Sequence, residues 1–141
     1  MSTLCVFRPA VPEGFEWVVP VDDVDFEVFR SLDGTPRNTA WKPISVRVLR
    51  FDELGEPRRP ADLPWLGGHV LVLTARAVDA LGERLRQSGE LLPLRCDDAD
   101  LYVYNPLQVV DALDENCSDL VRFYGGRVMT IARHAFKAEA L

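Results

Sequence analysis

The sequence contains few of the residues that build metal sites and disulfide frameworks. Its 141 residues include three cysteines and two histidines. Cys5, Cys96 and Cys117 are odd in number and form no CxxC pair, so we expect reduced thiols. His69 and His134 lie far apart and match no metal-ligand spacing. The sequence therefore predicts no metal site.

Long apolar runs are also absent. No stretch approaches the ~20 apolar residues of a bilayer-spanning helix, and Met1–Phe7 lacks the basic start and apolar core of a signal peptide. We therefore expect a cytoplasmic protein without a membrane contact. The net charge of −6 argues against a nucleic-acid partner, because phosphate binding depends on clustered Lys and Arg.

Signatures of catalysis are missing too. There is no Gly-x-Ser-x-Gly, and the glycine pairs at 67–68 and 125–126 lack the context of a phosphate-binding loop. Cys117 follows Asp114 and Glu115, whose negative charge opposes thiolate formation. We expect no catalytic residue, no cofactor and no enzymatic activity.

The residues that are present predict one globular domain over 1–141. The hydrophobic share of 48% and the charged share of 27% are those of a packed chain. β-branched and aromatic content, with alternation where one face is buried, predicts strands. They are Phe15–Val21, Ile44–Phe51, His69–Leu73, Leu91–Arg95, Leu101–Asn105, Leu107–Leu113, Leu120–Tyr124 and Arg127–Ala132.

Two helices are predicted among these strands. Asp22 or Asp23 is expected to cap a short helix that places Val24, Val28 and Phe29 or Leu32 on one face. Thr74 is expected to cap a longer helix that ends at Ser88-Gly89 and buries a stripe of Ala77, Val78, Leu81 and Leu85. The predicted fold class is α+β, a mostly antiparallel sheet with one principal helix packed on it and a second short helix.

Negative charge is concentrated in one stretch. Seven acids and no base lie between Asp97 and Asp119, whereas the tail beyond Arg122 is basic. The acids at 97, 98 and 100 match no calcium loop, and we interpret them as solvated turn residues or as a charged contact surface.

Five short motifs follow one another along the chain from Asp62 onward. They are Asp62-Leu-Pro64, Leu73-Thr-Ala-Arg-Ala77, Gly89-Glu-Leu-Leu-Pro-Leu94, Val110-Asp-Ala-Leu-Asp-Glu-Asn-Cys-Ser118 and Ala135-Phe-Lys137. In content and order they resemble the eleventh immunity-protein family of bacterial polymorphic toxin systems, and Leu32–Pro36 and Trp41–Pro43 also suit this family. The family generally continues beyond the last motif, so we expect either a short member or one that a partner chain completes.

The resemblance implies a non-enzymatic protein that binds and neutralises a cognate bacterial toxin. Complementary charge favours a toxin with a basic surface. The expected partner-binding residues are Asp97, Asp98, Asp100, Tyr102, Tyr104, Asp114 and Glu115; Tyr124 is a further candidate anchor, and any of the tyrosines could instead belong to the core.

Two other functions stay open, and the chain could also form a homo-oligomer. One is an accessory or structural subunit that a partner chain completes. The other is a small hydrolase or transferase that uses Asp111, Asp114 or His134 as acid or base.

Overall fold

The computed structural model describes residues 13–67, 70–108, 119–122 and 128–133, the last two ranges by their backbone. The chain divides into two compact units, one from Phe7 to Gln108 and one that combines Met1–Val6 with Val109–Leu141. Each unit is described by itself. The expectation of a single domain over 1–141 stays a prediction.

The larger unit is built on a six-stranded sheet of order β2-β1-β3-β4-β6-β5. All neighbouring strands are antiparallel except β1 and β3, which are parallel. The strands are β1 Trp17–Pro20, β2 Val46–Leu49, β3 Trp65–Gly67, β4 Val70–Thr74, β5 Gly89–Pro93 and β6 Leu101–Pro106.

The two ends of this sheet meet. Just before β2, Ser45 forms a parallel bridge with Arg95, two residues beyond β5. The Val46 amide donates to the Arg95 carbonyl at 2.8 Å, and the Arg95 amide donates to the Ile44 carbonyl at 2.8 Å. We call the contact between Ile44–Arg50 and Arg95–Asp98 the seam. The seam pairs backbone groups at the start of β2 with those just beyond β5, and such groups at the edge of a sheet would otherwise lack partners.

The strand register divides the side chains between an inner and an outer face, because directly paired residues point to the same side of a sheet. The inner face holds the main core. Its buried members are Val18, Phe29, Ile44, Val46, Leu66, Val70, Val72, Leu92, Leu94, Leu101 and Val103. Trp17, Trp65 and Tyr104 lie on the outer face.

The first helical segment comprises a 3₁₀ turn, Asp23–Asp25, followed by α1, Phe26–Arg30. Asp22 caps it as predicted, since its carboxylate accepts from the Val24 amide at 3.2 Å. Phe29 is 1% exposed and belongs to the inner core. The prediction that Val24 shares one helix face with Val28 and Phe29 is wrong. Val24 is 68% exposed, because it lies in the 3₁₀ turn and outside the α-helical repeat.

The second helix, α2, spans Ala75–Arg86 and packs on β4, β5 and β6. The predicted cap is confirmed, because the Thr74 hydroxyl accepts from the Ala77 amide. Ala77 is buried, but Leu81 of the predicted stripe is 41% exposed. Gly82 is buried instead, and its lack of a side chain lets α2 approach Leu91.

The smaller unit contains the predicted hairpin, with β7 Asp119–Arg122 antiparallel to β8 Val128–Arg133. Most of the predicted strand Leu107–Leu113 lies outside the described residues. The hairpin of β5 and β6 is confirmed. Neither described helix has the length and hydropathy needed to cross a membrane.

The predicted α+β class is confirmed, with a mostly antiparallel sheet and two helices. Both helices are short: α2 has 12 residues and α1 has 5.

Candidate functional site

The acidic loop, Cys96–Asp100, connects β5 to β6 at one end of the seam. At its base the Leu94 amide donates to the Leu101 carbonyl at 2.9 Å, which closes the hairpin. Asp97, Asp98 and Asp100 are all exposed. The structure therefore brings three of the predicted partner-binding residues onto one turn.

Arg50 fixes this loop to the rest of the sheet. Its guanidinium donates to Oδ2 of Asp98 from Nη2 at 2.7 Å and from Nε at 3.1 Å. Nη1 of the same group donates to Oε1 of Glu16 at 2.9 Å. Glu16, the residue just before β1, lies on the inner side of the sheet and is only 8% exposed. One cation thus joins the loop, the end of β2 and the start of β1.

These contacts shift the ionisation of the residues involved. The hydrogen bonds from Arg50, and a weaker one from Cys96, lower the pKa of Asp98. The bond to Asp98 in turn raises the pKa of Arg50. Burial raises the pKa of the Cys96 thiol, whose Sγ lies 3.3 Å from Oδ1 of Asp98. Cys96 therefore stays protonated near neutral pH, which is unfavourable for a nucleophile.

Asp97 and Asp100 differ from Asp98 in having no ion-pair partner among the described residues. The backbone of Asp100 is nevertheless fixed, because its carbonyl accepts from the Ala75 amide at 3.1 Å, at the start of α2. Two exposed carboxylates without a cationic partner are therefore presented by a loop that is anchored at both sides. The geometry suits recognition of a positively charged surface.

The two tyrosines of the prediction lie beside the loop on β6 and are half-buried. The hydroxyl of Tyr104 donates to the Leu85 carbonyl of α2 at 3.0 Å, and burial raises the pKa of this phenol. Tyr104 thus fastens the helix to the sheet. Tyr102 pairs with Leu73 and Pro93 on the same outer face.

The remaining predicted contact residues, Asp114 and Glu115, lie outside the described residues, as does Tyr124. The same holds for Asp111 and His134, which the enzymatic alternative uses. Among the residues that the structure describes, no group of three or more His, Cys, Asp or Glu side chains is arranged to hold a metal ion.

Sequence reasoning missed Arg50 and Glu16. The strand pattern does contain a signal for Glu16. Glu16 lies two positions before Val18, so its side chain points to the same inner side of the sheet, at a position between Phe15 and Trp17. A buried carboxylate requires a partner. The partner could not be named from sequence, because Arg50 and Asp98 are brought together only by the seam.

Comparison with known proteins adds no relative: no family model, no curated protein and no solved structure matches this chain. The resemblance to the immunity-protein family stays a prediction from the motifs quoted above.

Proposed function

We propose that this chain is a non-enzymatic immunity protein, which binds a cognate bacterial toxin through the acidic loop in the cytoplasm of the toxin-producing cell. The observation that carries the proposal is the anchoring of the loop by Arg50, with Asp97 and Asp100 exposed and without cationic partners among the described residues. The proposed partner presents Lys and Arg side chains to these carboxylates.

A fixed loop favours tight binding for a physical reason. Association costs free energy when flexible groups become ordered, and a loop that is already ordered avoids part of that cost. The bonds from Arg50 to Asp98 hold the turn from one side, and the contact of Asp100 with Ala75 holds it from the other. Exposed charges on such a loop also increase the rate of encounter with an oppositely charged partner.

The roles within the loop differ under this proposal. Asp98 positions the loop through Arg50, whereas Asp97 and Asp100 make the contact. Tyr102 lies next to the loop on β6 and extends the same contact surface, while Tyr104 serves mainly the packing of α2.

The test begins with the product of the neighbouring reading frame. The tagged protein is co-purified with that product, and growth of cells that express the product is measured with and without this chain. A stable complex that restores growth supports the proposal. A product that is toxic and is neither bound nor neutralised contradicts it, and a bound product that is not toxic favours the accessory-subunit alternative.

The surface is then tested with charge reversals. We expect Asp97→Lys/Asp100→Lys to slow association about tenfold or more at low salt, because both proposed carboxylate contacts become repulsive. The control is Asp79→Lys/Glu83→Lys, which changes the net charge equally at exposed positions of α2. Association rates by surface plasmon resonance that are equal for the two variants would place the interface elsewhere.

A further inference from the structure

A short hairpin, residues 50–58, follows β2, and we call it the Leu54 loop. The Arg58 amide donates to the Arg50 carbonyl at 2.7 Å, and the Asp52 amide donates to the Glu56 carbonyl at 2.9 Å. Oδ1 of Asp52 accepts from the amides of Leu54 and Glu56, each at 2.9 Å. An Asp side chain that bonds to the backbone two residues on is a common way to order a turn. The loop is therefore held in one conformation by its own hydrogen bonds.

The limb that leads away from the Leu54 loop is fixed as well. The Arg58 guanidinium lies over the Trp17 ring, 4.8 Å from its centroid. The Arg59 amide donates to the Gly14 carbonyl at 2.8 Å, just before β1. A cation over an aromatic face is attracted to it, so the first contact adds to the hydrogen bond. The loop is thus anchored at its base as well as at its tip.

Two large apolar side chains of this ordered loop are exposed. Leu54 is 88% exposed and Phe51 is 63% exposed. The turn does not need either side chain, because its hydrogen bonds involve backbone groups and the carboxylate of Asp52. Polar residues and glycine are the usual occupants of such turns. Exposed apolar groups on a loop that is already ordered suit binding to a partner, because little conformational freedom is lost on association.

Negative charge surrounds the exposed leucine. Glu53 and Glu56 lie on either side of Leu54 in the sequence, and both are exposed. Neither glutamate has an ion-pair partner in the part of the chain that the structure describes. Protein interfaces combine an apolar centre with a polar rim and place opposite charges against each other. The complementary surface is therefore an apolar depression with a basic rim.

The Leu54 loop begins at the residue that anchors the acidic loop. The backbone of Arg50 closes the base of the Leu54 loop, and its guanidinium donates to Oδ2 of Asp98 at 2.7 Å. The acidic loop contains only Cys, Ala and Asp residues, so it offers charge but no large apolar group. Charge chiefly speeds the encounter of two proteins, whereas burial of apolar area supplies most of the stability of a complex. The Leu54 loop provides the apolar part that the acidic loop lacks.

We propose that the Leu54 loop is the apolar centre of the toxin-binding surface. Phe51 and Leu54 enter an apolar depression on the toxin that is edged by Lys and Arg side chains. This inference rests on the proposed immunity function and adds the chemistry of the partner's surface to it. The charges of the acidic loop govern how fast the complex forms, and the burial of Phe51 and Leu54 governs how long it lasts.

Surface plasmon resonance with the product of the neighbouring reading frame tests the inference. Leu54→Ser and Phe51→Ser are each expected to weaken binding about tenfold or more, mainly through faster dissociation, because the burial of a large apolar side chain is lost. The matched control is Val24→Ser. Val24 is 68% exposed and lies beyond the opposite end of β1, so its replacement is expected to leave binding unchanged.

The outcomes separate this inference from the proposed function. If the unaltered protein does not bind the product, both are wrong. If it binds and neutralises the product, but Leu54→Ser and Phe51→Ser dissociate no faster than Val24→Ser, the inference alone is wrong. Analytical ultracentrifugation covers a different occupant, since self-association that Leu54→Ser abolishes would assign the loop to contact with a second copy of this chain.

A conservative variant keeps the result independent of folding. Leu54→Ser is expected to leave the urea midpoint unchanged, because the side chain is exposed. Leu54→Met keeps a large apolar group and is expected to retain most of the affinity. A Leu54→Met variant that dissociates as fast as Leu54→Ser would contradict an apolar contact at this position.

Discussion

The side chain of Arg50 contacts two carboxylates in different environments. Asp98 keeps 59% of its side chain exposed, whereas Glu16 keeps 11%. An exposed ion pair contributes little to stability, but a buried carboxylate that loses its partner is costly. The stabilising effect of Arg50 therefore derives mainly from Glu16, and its contact with Asp98 mainly positions the acidic loop.

Replacing Arg50 tests this division. We expect Arg50→Ala to lower the free energy of unfolding by about 1–3 kcal/mol, because the Glu16 carboxylate is left buried without a partner. Urea denaturation measures the change. Adding Glu16→Gln to Arg50→Ala is expected to recover part of the loss, since no unpaired charge then remains.

The control for Arg50→Ala is Arg30→Ala. The pair of Arg30 with Glu27 is exposed on both sides, at 60% and 73%, so its loss is expected to cost less than about 0.5 kcal/mol. Equal losses in the two variants would show that the burial of Glu16 is not the cause.

The unit formed by α2, β5 and β6 depends on two glycines that have different roles. Gly89 begins β5, and a Cβ there would lie 2.5 Å from the Asn105 carbonyl oxygen and 2.6 Å from the Tyr104 ring. Gly82 lies within α2, and a Cβ there would meet flexible side chains, Arg86 at 3.0 Å and Val78 at 3.1 Å. Backbone cannot move aside as a side chain can, so the two positions should respond differently to substitution.

We expect Gly89→Ala to lower the free energy of unfolding by about 1–3 kcal/mol or more, because β5 and β6 must separate to admit the methyl group. Gly82→Ala is expected to change it by less than about 1 kcal/mol, because better helix propensity offsets the crowding. Thermal or urea denaturation of the two variants decides the matter. A larger loss in Gly82→Ala than in Gly89→Ala would contradict the close approach of the two strands.

The sheet as a whole is closed by contacts between residues far apart in sequence. Besides the seam, Glu90 of β5 accepts from the amides of Arg37 and Asn38 at 2.9 and 3.2 Å, and Asn105 donates to the same carboxylate at 3.0 Å. Burial alone would raise the pKa of Glu90, but these hydrogen bonds outweigh it and the pKa is lowered. Carboxylates thus hold the loop before β2 and the acidic loop in place.

Stability should depend on pH accordingly. The folded state lowers the pKa of Asp33, Glu90 and Asp98, so the unfolded chain takes up their protons at a higher pH than the folded one. Their contribution is present at neutral pH and is lost as the pH falls below about 4–5. The folded state raises the pKa of Cys96 and Tyr104, so the unfolded chain loses these protons at a lower pH than the folded one. Their contribution to the free energy of unfolding is therefore lost as the pH rises above about 8.

Urea denaturation at a series of pH values checks this expectation, which is a plateau between about pH 5 and 8 with losses on both sides. Glu90→Gln is expected to reduce the acid-side slope, because one linked group no longer titrates. A free energy of unfolding that rises as the pH falls from 6 to 4 would show that the carboxylate contacts are not stabilising.

Local patterns in the sequence predicted much of the larger unit. Alternating and β-branched residues predicted β1, β2, β5 and β6, and Thr74 was expected to cap the longer helix. Such features follow from interactions between residues near each other in the chain, such as a hydroxyl and an amide three positions later. Gly89 was expected to end the longer helix. The structure shows a different need for glycine at this position, which is the close approach of β6.

The candidate site depended on contacts that no local pattern contains. The exposed acids at 97, 98 and 100 could be identified in the sequence, but the pairing of Asp98 with Arg50 required the bridge between Ser45 and Arg95. Strand order and sheet closure are set by the packing of side chains from distant segments into one core, so they emerge only in the folded chain.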